Sequence, residues 1–150
     1  MEGMNLDNFD NNDLGQAFNI GKRCFEKGDF VLAEKYLKKA TKSGNREAFL
    51  LLFEIFLKDD RTNIAEKYLK PLADGGDFEL QDKLGTVYKR KSNFELAEYY
   101  YKQAINNGNQ RAHYHLGKLY YLFKKKNLAI DYLKPVADER DQEAQVLLAK

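Results

Sequence analysis

Apolar residues recur along this chain in paired stripes separated by short polar breaks. Ala17, Ile20 and Cys24 form one stripe, and Leu32, Ala33, Tyr36, Leu37 and Ala40 form the next. Spacing of i, i+1, i+4, i+5, i+8 puts such side chains on one face of a helix, so the two stripes predict two helices. Gly28-Asp29 between them suits a tight turn. The whole pattern returns without gaps every 32 residues: Ala33, Ala65, Ala97 and Ala129 form one column and Tyr36, Tyr68, Tyr100 and Tyr132 another. Three more columns stay apolar, namely Ile20, Leu52, Leu84, Leu116; Leu32, Ile64, Leu96, Leu128; and Ala40, Leu72, Ala104, Val136. The turn positions become Asp60-Arg61, Ser92-Asn93 and Lys124-Lys125. After the second stripe stand Gly44-Asn45, Gly76-Asp77 and Gly108-Asn109, where Gly takes a left-handed helix cap and Asn or Asp starts the next helix; in the fourth unit Arg140-Asp141 replaces them.

A helix pair this short cannot bury its own apolar face, so the pairs are expected to stack on one another as a solenoid. The repeats fall at about 14–45, 46–77, 78–109 and 110–141, and Ala144 and Leu148 continue the Ala48 and Leu52 columns into a half repeat, a capping helix over 142–150. Residues 1–13 carry Glu2, Asp7, Asp10 and Asp13 with no base and match no repeat column, which predicts a flexible acidic tail before a repeat domain over 14–150. Pro71 and Pro135 fall inside second helices, where each removes a backbone hydrogen bond, so a kink or early end is expected there. The shared phrases Tyr68-Leu-Lys-Pro71 and Tyr132-Leu-Lys-Pro135 suggest duplication of a 64-residue double unit.

These residues resemble tetratricopeptide (TPR) repeats, and more closely their Sel-one-like relatives. Leu84-Gly85 and Leu116-Gly117, followed by Tyr88 and Tyr120 and then by Ala97 and Ala129, carry the resemblance; so do the linkers Ala104-Ile-Asn-Asn-Gly108-Asn-Gln-Arg-Ala112 and Pro71-Leu-Ala-Asp-Gly-Gly-Asp77. The second unit departs from the pattern with Phe53 in place of the Gly, and the Sel-one-like period is usually slightly longer. The resemblance implies an all-α, right-handed superhelical solenoid of antiparallel helix pairs, four 32-residue TPR/Sel-one-like repeats plus a C-terminal half repeat. It also implies a protein-binding scaffold or adaptor whose first helices line a concave groove.

Composition narrows the picture further. The 150 residues hold 25 Lys+Arg against 23 Asp+Glu, a net charge of +2, too balanced for a polyanion binder that works by bulk charge. Two Pro argue for a regular helical body rather than a sandwich. One Cys excludes an intramolecular disulfide framework, no apolar run is long enough to span a bilayer, and the N-terminus has no signal-like apolar stretch, so a cytoplasmic protein with no membrane contact is expected.

Catalytic and metal constellations fail against the repeat frame. Cys24 shares a column with Phe56, Tyr88 and Tyr120, so packing rather than nucleophilic chemistry with His113 or His115 explains it. The two histidines are two residues apart on different helix faces, and Phe49, Gln81, Leu51 and Lys83 at their counterparts add no zinc ligands. Asp10-Asn-Asn12-Asp-Leu14-Gly15 opens like a calcium loop but puts Leu14 and Gly21 where oxygen ligands belong. Lys124-Lys125-Lys126 sits in a turn and reads as solvated surface. No enzyme and no cofactor are expected.

The informative positions are those that the core does not dictate. On the face implied to be concave, the first unit presents Phe18, Lys22, Phe25 and Glu26, and the second Leu50, Glu54, Leu57 and Lys58. The third presents Asp82, Thr86, Lys89 and Arg90, and the fourth Arg111, Tyr114, Lys118 and Tyr121. Apolar anchors mixed with Lys and Arg suit an extended or helical peptide with hydrophobic side chains and some acid; the competing reading is that Phe18, Phe25 and Leu57 pack between neighbouring pairs. A helical-repeat nucleic-acid binder is the rival function, opposed by Glu26, Glu54 and Asp82 interrupting any basic stripe. Leu147 or Leu148 on the open face of the last helix points to a longer natural protein or to weak self-association there.

Overall fold

Helices begin at Leu14, Phe30, Arg46, Thr62, Phe78 and Phe94, sixteen residues apart, and continue in that rhythm to the C-terminus. The computed structural model describes residues 14–138 and 142–150. Its helices are α1 (Leu14–Glu26), α2 (Phe30–Thr41), α3 (Arg46–Lys58), α4 (Thr62–Asp74), α5 (Phe78–Arg90), α6 (Phe94–Asn106), α7 (Arg111–Leu122), α8 (Lys126–Asp138) and α9 (Gln142–Leu148), with no strand among the described residues. The expected acidic tail and the Arg140-Asp141 linker lie outside those residues. Packing divides the chain into two compact units, one ending at Arg61 and one starting at Thr62. In the first, α1 packs on α2 and both touch α3; in the second, α4 to α9 pack each on the next, and α5 also meets α7.

The local signals act as their chemistry requires. Asp29 and Asn93 accept from the Leu32 and Leu96 amides inside the pairs, and Asn45, Asp77 and Asn109 cap the helix starts after the linkers. The turn column is left-handed throughout: Gly28 has φ 81°, but Asp60, Ser92 and Lys124 take 55°, 60° and 58° with a side chain present. The Ala column is buried at all four positions. It lies beside a second close approach, where a Cβ on Gly85 would stand 2.6 Å from the Tyr101 ring and one on Gly117 2.6 Å from Leu133 Cγ. Phe53 takes this position in the second repeat and is buried.

Three expectations need correcting. Leu32, Leu96 and Leu128, at the first turn of the second helix, are exposed, and Ile64 in the same column is half-buried. Pro71 and Pro135 do not end their helices: each is followed by three more helical residues, and the residues whose carbonyls lose an amide partner, Lys67 and Asp131 four positions earlier, are exposed to water. Cys24 is half-buried with no disulfide, whereas Phe56, Tyr88 and Tyr120 in its column are buried.

Candidate functional site

The first-helix face is described in each unit by itself. In the first unit, Lys22 lies 3.9 Å from Glu47 on α3, and its ammonium is 6.0 Å from the Phe18 ring centre. Phe25 packs edge-to-face on Phe30 at 5.4 Å, and Lys58 covers the other exposed part of Phe30 at 4.1 Å. Phe18, Phe25, Leu50 and Leu57 are half-buried, while Glu54 and Lys58 are exposed. Phe25 is thus engaged in the turn of its own pair.

In the second unit, α5 and α7 bring the remaining positions together. Asp82 is 7% exposed, and its Oδ1 lies 2.7 Å from Nδ1 of His115, which joins the two first helices. Thr86 and the Tyr101 hydroxyl are 3.0 Å apart, and burial pushes the Tyr101 phenol up from its ordinary range. Tyr114 is 8% exposed and stands 5.6 Å from His115, with the Lys118 ammonium 5.9 Å from its ring. Asp82 and Tyr114 therefore shape the floor of this face instead of its open surface. Lys89 and Lys118 are half-buried, and Arg90, Arg111 and Tyr121 are exposed. Lys89 is held below the usual lysine range, first by burial and then by the charges of Lys118 and Arg90, so three cations share one region.

Beyond Tyr121 lies a cleft of about 530 Å³ whose lining joins Tyr121 to Leu147 and Leu148, residues that the sequence pattern singled out separately. Tyr121 and Leu122 of α7, Ile130 and Leu133 of α8 and Leu147 and Leu148 of α9 form its apolar part, with Lys124, Lys126 and Lys150 also lining it. Apolar Leu122 and Ile130 in the last pair were its available signal, and both are more than a third exposed. Around α4 the unit carries ion pairs. Glu66 accepts from the Tyr88 hydroxyl at 2.7 Å and pairs with Lys91, while Asp74 accepts from Lys70 at 2.7 Å and from the Tyr100 hydroxyl at 2.8 Å. These bonds hold both carboxyls below the ordinary carboxylate range. Among the described residues no group of His, Cys, Asp and Glu is arranged to hold a metal ion, and no helix is long and apolar enough to cross a membrane.

No family model matches the chain, and no curated protein does. Solved structures do. The chain is similar to a crystal structure of MamA at 25% identity, over 81% of this chain and 69% of that one, with a TM-score of 0.70. A second MamA crystal structure aligns at 22% identity over 91% and 83% with a TM-score of 0.75, and MamA 41-end from Desulfovibrio magneticus RS-1 at 22% over 88% and 78% with a TM-score of 0.73. MamA proteins are TPR-like helical repeat proteins, and the chain described here has that TPR-like fold.

Proposed function

We propose that this protein is a non-enzymatic interaction scaffold that binds a partner protein or peptide along the first-helix face of its repeats. The observation that carries the reading is the contrast between the two sides of the second unit. Around the second helix α4, the carboxylates of Glu66 and Asp74 are already matched by Lys91, Lys70 and two tyrosines. On the first-helix side, Tyr121 and Leu122 of α7 stand exposed one turn after Lys118. Exposed apolar side chains rimmed by charge are what a binding face needs, and repeated units offer several such contacts to one ligand. The TPR-like fold supports the same reading, as does a balance of charge that gives little bulk attraction to nucleic acid. A cytoplasmic, cofactor-free protein fits it.

Capture of partners on the purified chain, with identification by mass spectrometry, tests the proposal when repeated with two sets of variants. Leu57→Ala and Tyr121→Ala are expected to weaken capture, by about 1–2 kcal/mol each where they anchor the ligand. Val31→Ser and Tyr99→Ser, on exposed parts of second helices, are expected to leave it unchanged. The opposite ranking would move the binding face to the second helices.

A further inference from the structure

A glutamate of a second helix meets an aromatic residue of the following first helix at three places. Glu34, Glu66 and Glu98 stand 32 residues apart, as do Phe56, Tyr88 and Tyr120. At the first place Arg61 fills the space: its guanidinium pairs with Glu34, lies 3.2 Å from Asp59 Oδ2 and is 5.0 Å from the Phe56 ring centre. Two carboxylates and a ring thus enclose one cation. At the second, Lys91 pairs with Glu66, and its ammonium is 5.9 Å from the Tyr88 ring centre. The third place is open. Phe123 occupies the column of Asp59 and Lys91, and Lys125 that of Arg61. The Lys125 ammonium is 5.9 Å from the Tyr120 ring centre and makes no ion pair among the described residues, while Glu98 turns to Lys102 on its own helix at 3.1 Å. A cleft of about 280 Å³ remains between the start of α6 and the end of α7. Phe94, Tyr120 and Phe123 give it rings, Glu95 and Glu98 carboxylates, and Lys125 its one lining cation. Phe94 and Phe123 meet edge-to-face at 4.6 Å, and both are more than a third exposed. Glu95 is exposed and makes no ion pair among the described residues.

We infer that this cleft receives an arginine side chain of a partner protein, with its guanidinium at Glu95 and Glu98 and its flat face on the rings of Phe123 and Tyr120. The chain's own Arg61 shows what the equivalent place one double unit earlier accepts, namely a guanidinium between carboxylates and an aromatic face. Arginine suits such a site better than lysine, because its planar fork matches carboxylates and stacks on rings, while an ammonium is more strongly hydrated. The volume is smaller than that of typical small-molecule sites, which fits one side chain of a larger partner. Lys125 opposes the ligand's charge, but it is exposed and held by no carboxylate, so it can swing off the Tyr120 ring. The cleft shares no residue with the proposed first-helix binding face, so the inference adds a second contact surface and stands independently of that reading.

Titration of the ¹⁵N-labelled full chain with N-acetylarginine methylamide, followed by NMR, tests this. The citrulline analogue, which keeps the shape and loses the charge, and the lysine analogue serve as further probes. The expected result is a saturable shift of the amides of residues 94–98 and 119–125 at about millimolar arginine probe, with no shift from citrulline and roughly threefold weaker binding of lysine. Glu95→Gln and Phe123→Ser should each weaken arginine binding about three- to tenfold, and Lys125→Ser should strengthen it. Amide signals away from the cleft show that each variant is folded. Equal shifts with citrulline, shifts centred elsewhere or no shift at all would overturn the inference. So would an affinity indifferent to both Glu95→Gln and Phe123→Ser, or a lysine probe that binds as tightly as arginine. Weaker binding with Lys125→Ser would overturn it too, since Lys125 would then be part of the site rather than a competitor for it. None of these outcomes bears on the first-helix face, which the capture experiment decides separately.

Discussion

The Gln81 side-chain amide on α5 donates to the Ala73 carbonyl at the end of α4 over 2.9 Å, and 64 residues later Gln145 on α9 donates to Ala137 at the end of α8 over the same distance. Both receiving helices contain the proline, Pro71 or Pro135. Phe49 and His113 occupy the Gln position after the helices that lack proline. The 64-residue period thus returns in the contacts as well as in the sequence: each helix that contains a proline receives a side-chain hydrogen bond at its C-terminal turn from the following helix.

Gln81 is buried and also accepts from Asn107 at 2.9 Å, whereas Gln145 is exposed. Gln81→Ala should therefore cost about 0.5–1.5 kcal/mol by removing one of two hydrogen bonds that the Ala73 carbonyl accepts, the other coming from the Gly76 amide at 3.0 Å, and Gln145→Ala clearly less. Denaturant unfolding of the two variants against the parent measures the difference; equal costs would contradict the capping role.

The left-handed turn column gives a second expectation. Ser92→Gly and Lys124→Gly should each raise stability by about 0.5–1 kcal/mol, because L residues are strained at φ near 60° and the turn exposes both side chains. Gly28→Ala should lower it by a similar amount. Thermal melts read all three, and a loss of stability in the glycine variants would refute the strain.

Close approach of the paired helices is tested by Gly85→Ala and Gly117→Ala. Alanine favours a helix by about 1 kcal/mol over glycine, yet the added methyl would stand 2.6 Å from Tyr101 or Leu133, and overpacking of this kind costs about 1–3 kcal/mol. Net destabilisation is expected at both, and none for Gly15→Ala, where nothing lies within 4 Å. Ala97→Leu, at a fully buried position, should also cost about 1–3 kcal/mol.

Acid sensitivity should come from the second-helix side. Glu66 and Asp74 have carboxyl groups that titrate lower in the folded chain than in the unfolded one. Their stabilisation is therefore complete above the unfolded carboxylate range and is lost as pH falls through the folded values. A Glu66→Gln variant should be less stable at neutral pH, and the gap to the parent should close below about pH 4. Melting temperatures over an acid series check this; a gap that persists at low pH would mean that Glu66 acts through packing alone. Lys91 is the partner of Glu66, so Lys91→Leu should share in that loss.

The sequence by itself determined the helix pairs, their turns and their caps. Each depends on a few neighbouring residues: a stripe such as Ala33, Tyr36, Leu37 and Ala40, an Asn or Asp at a helix start, a glycine at a helix end. Repetition then made weak local signals unmistakable, since the Ala column kept one register through four units. Tertiary structure decided what each non-core side chain faces. The column of Leu32, Leu96 and Leu128 is apolar yet exposed, and the polar pair of Asp82 and His115 is drawn inward, because exposure depends on the angle between helices and on which neighbour reaches the spot. Gln81 to Ala73 and Glu66 to Lys91 join residues in different helices, and no periodicity along one helix carries that information. The cleft beyond Tyr121 has the same origin. Its walls are the ends of α7 and α9 and the face of α8, and only their packing brings side chains far apart along the chain together as a cleft.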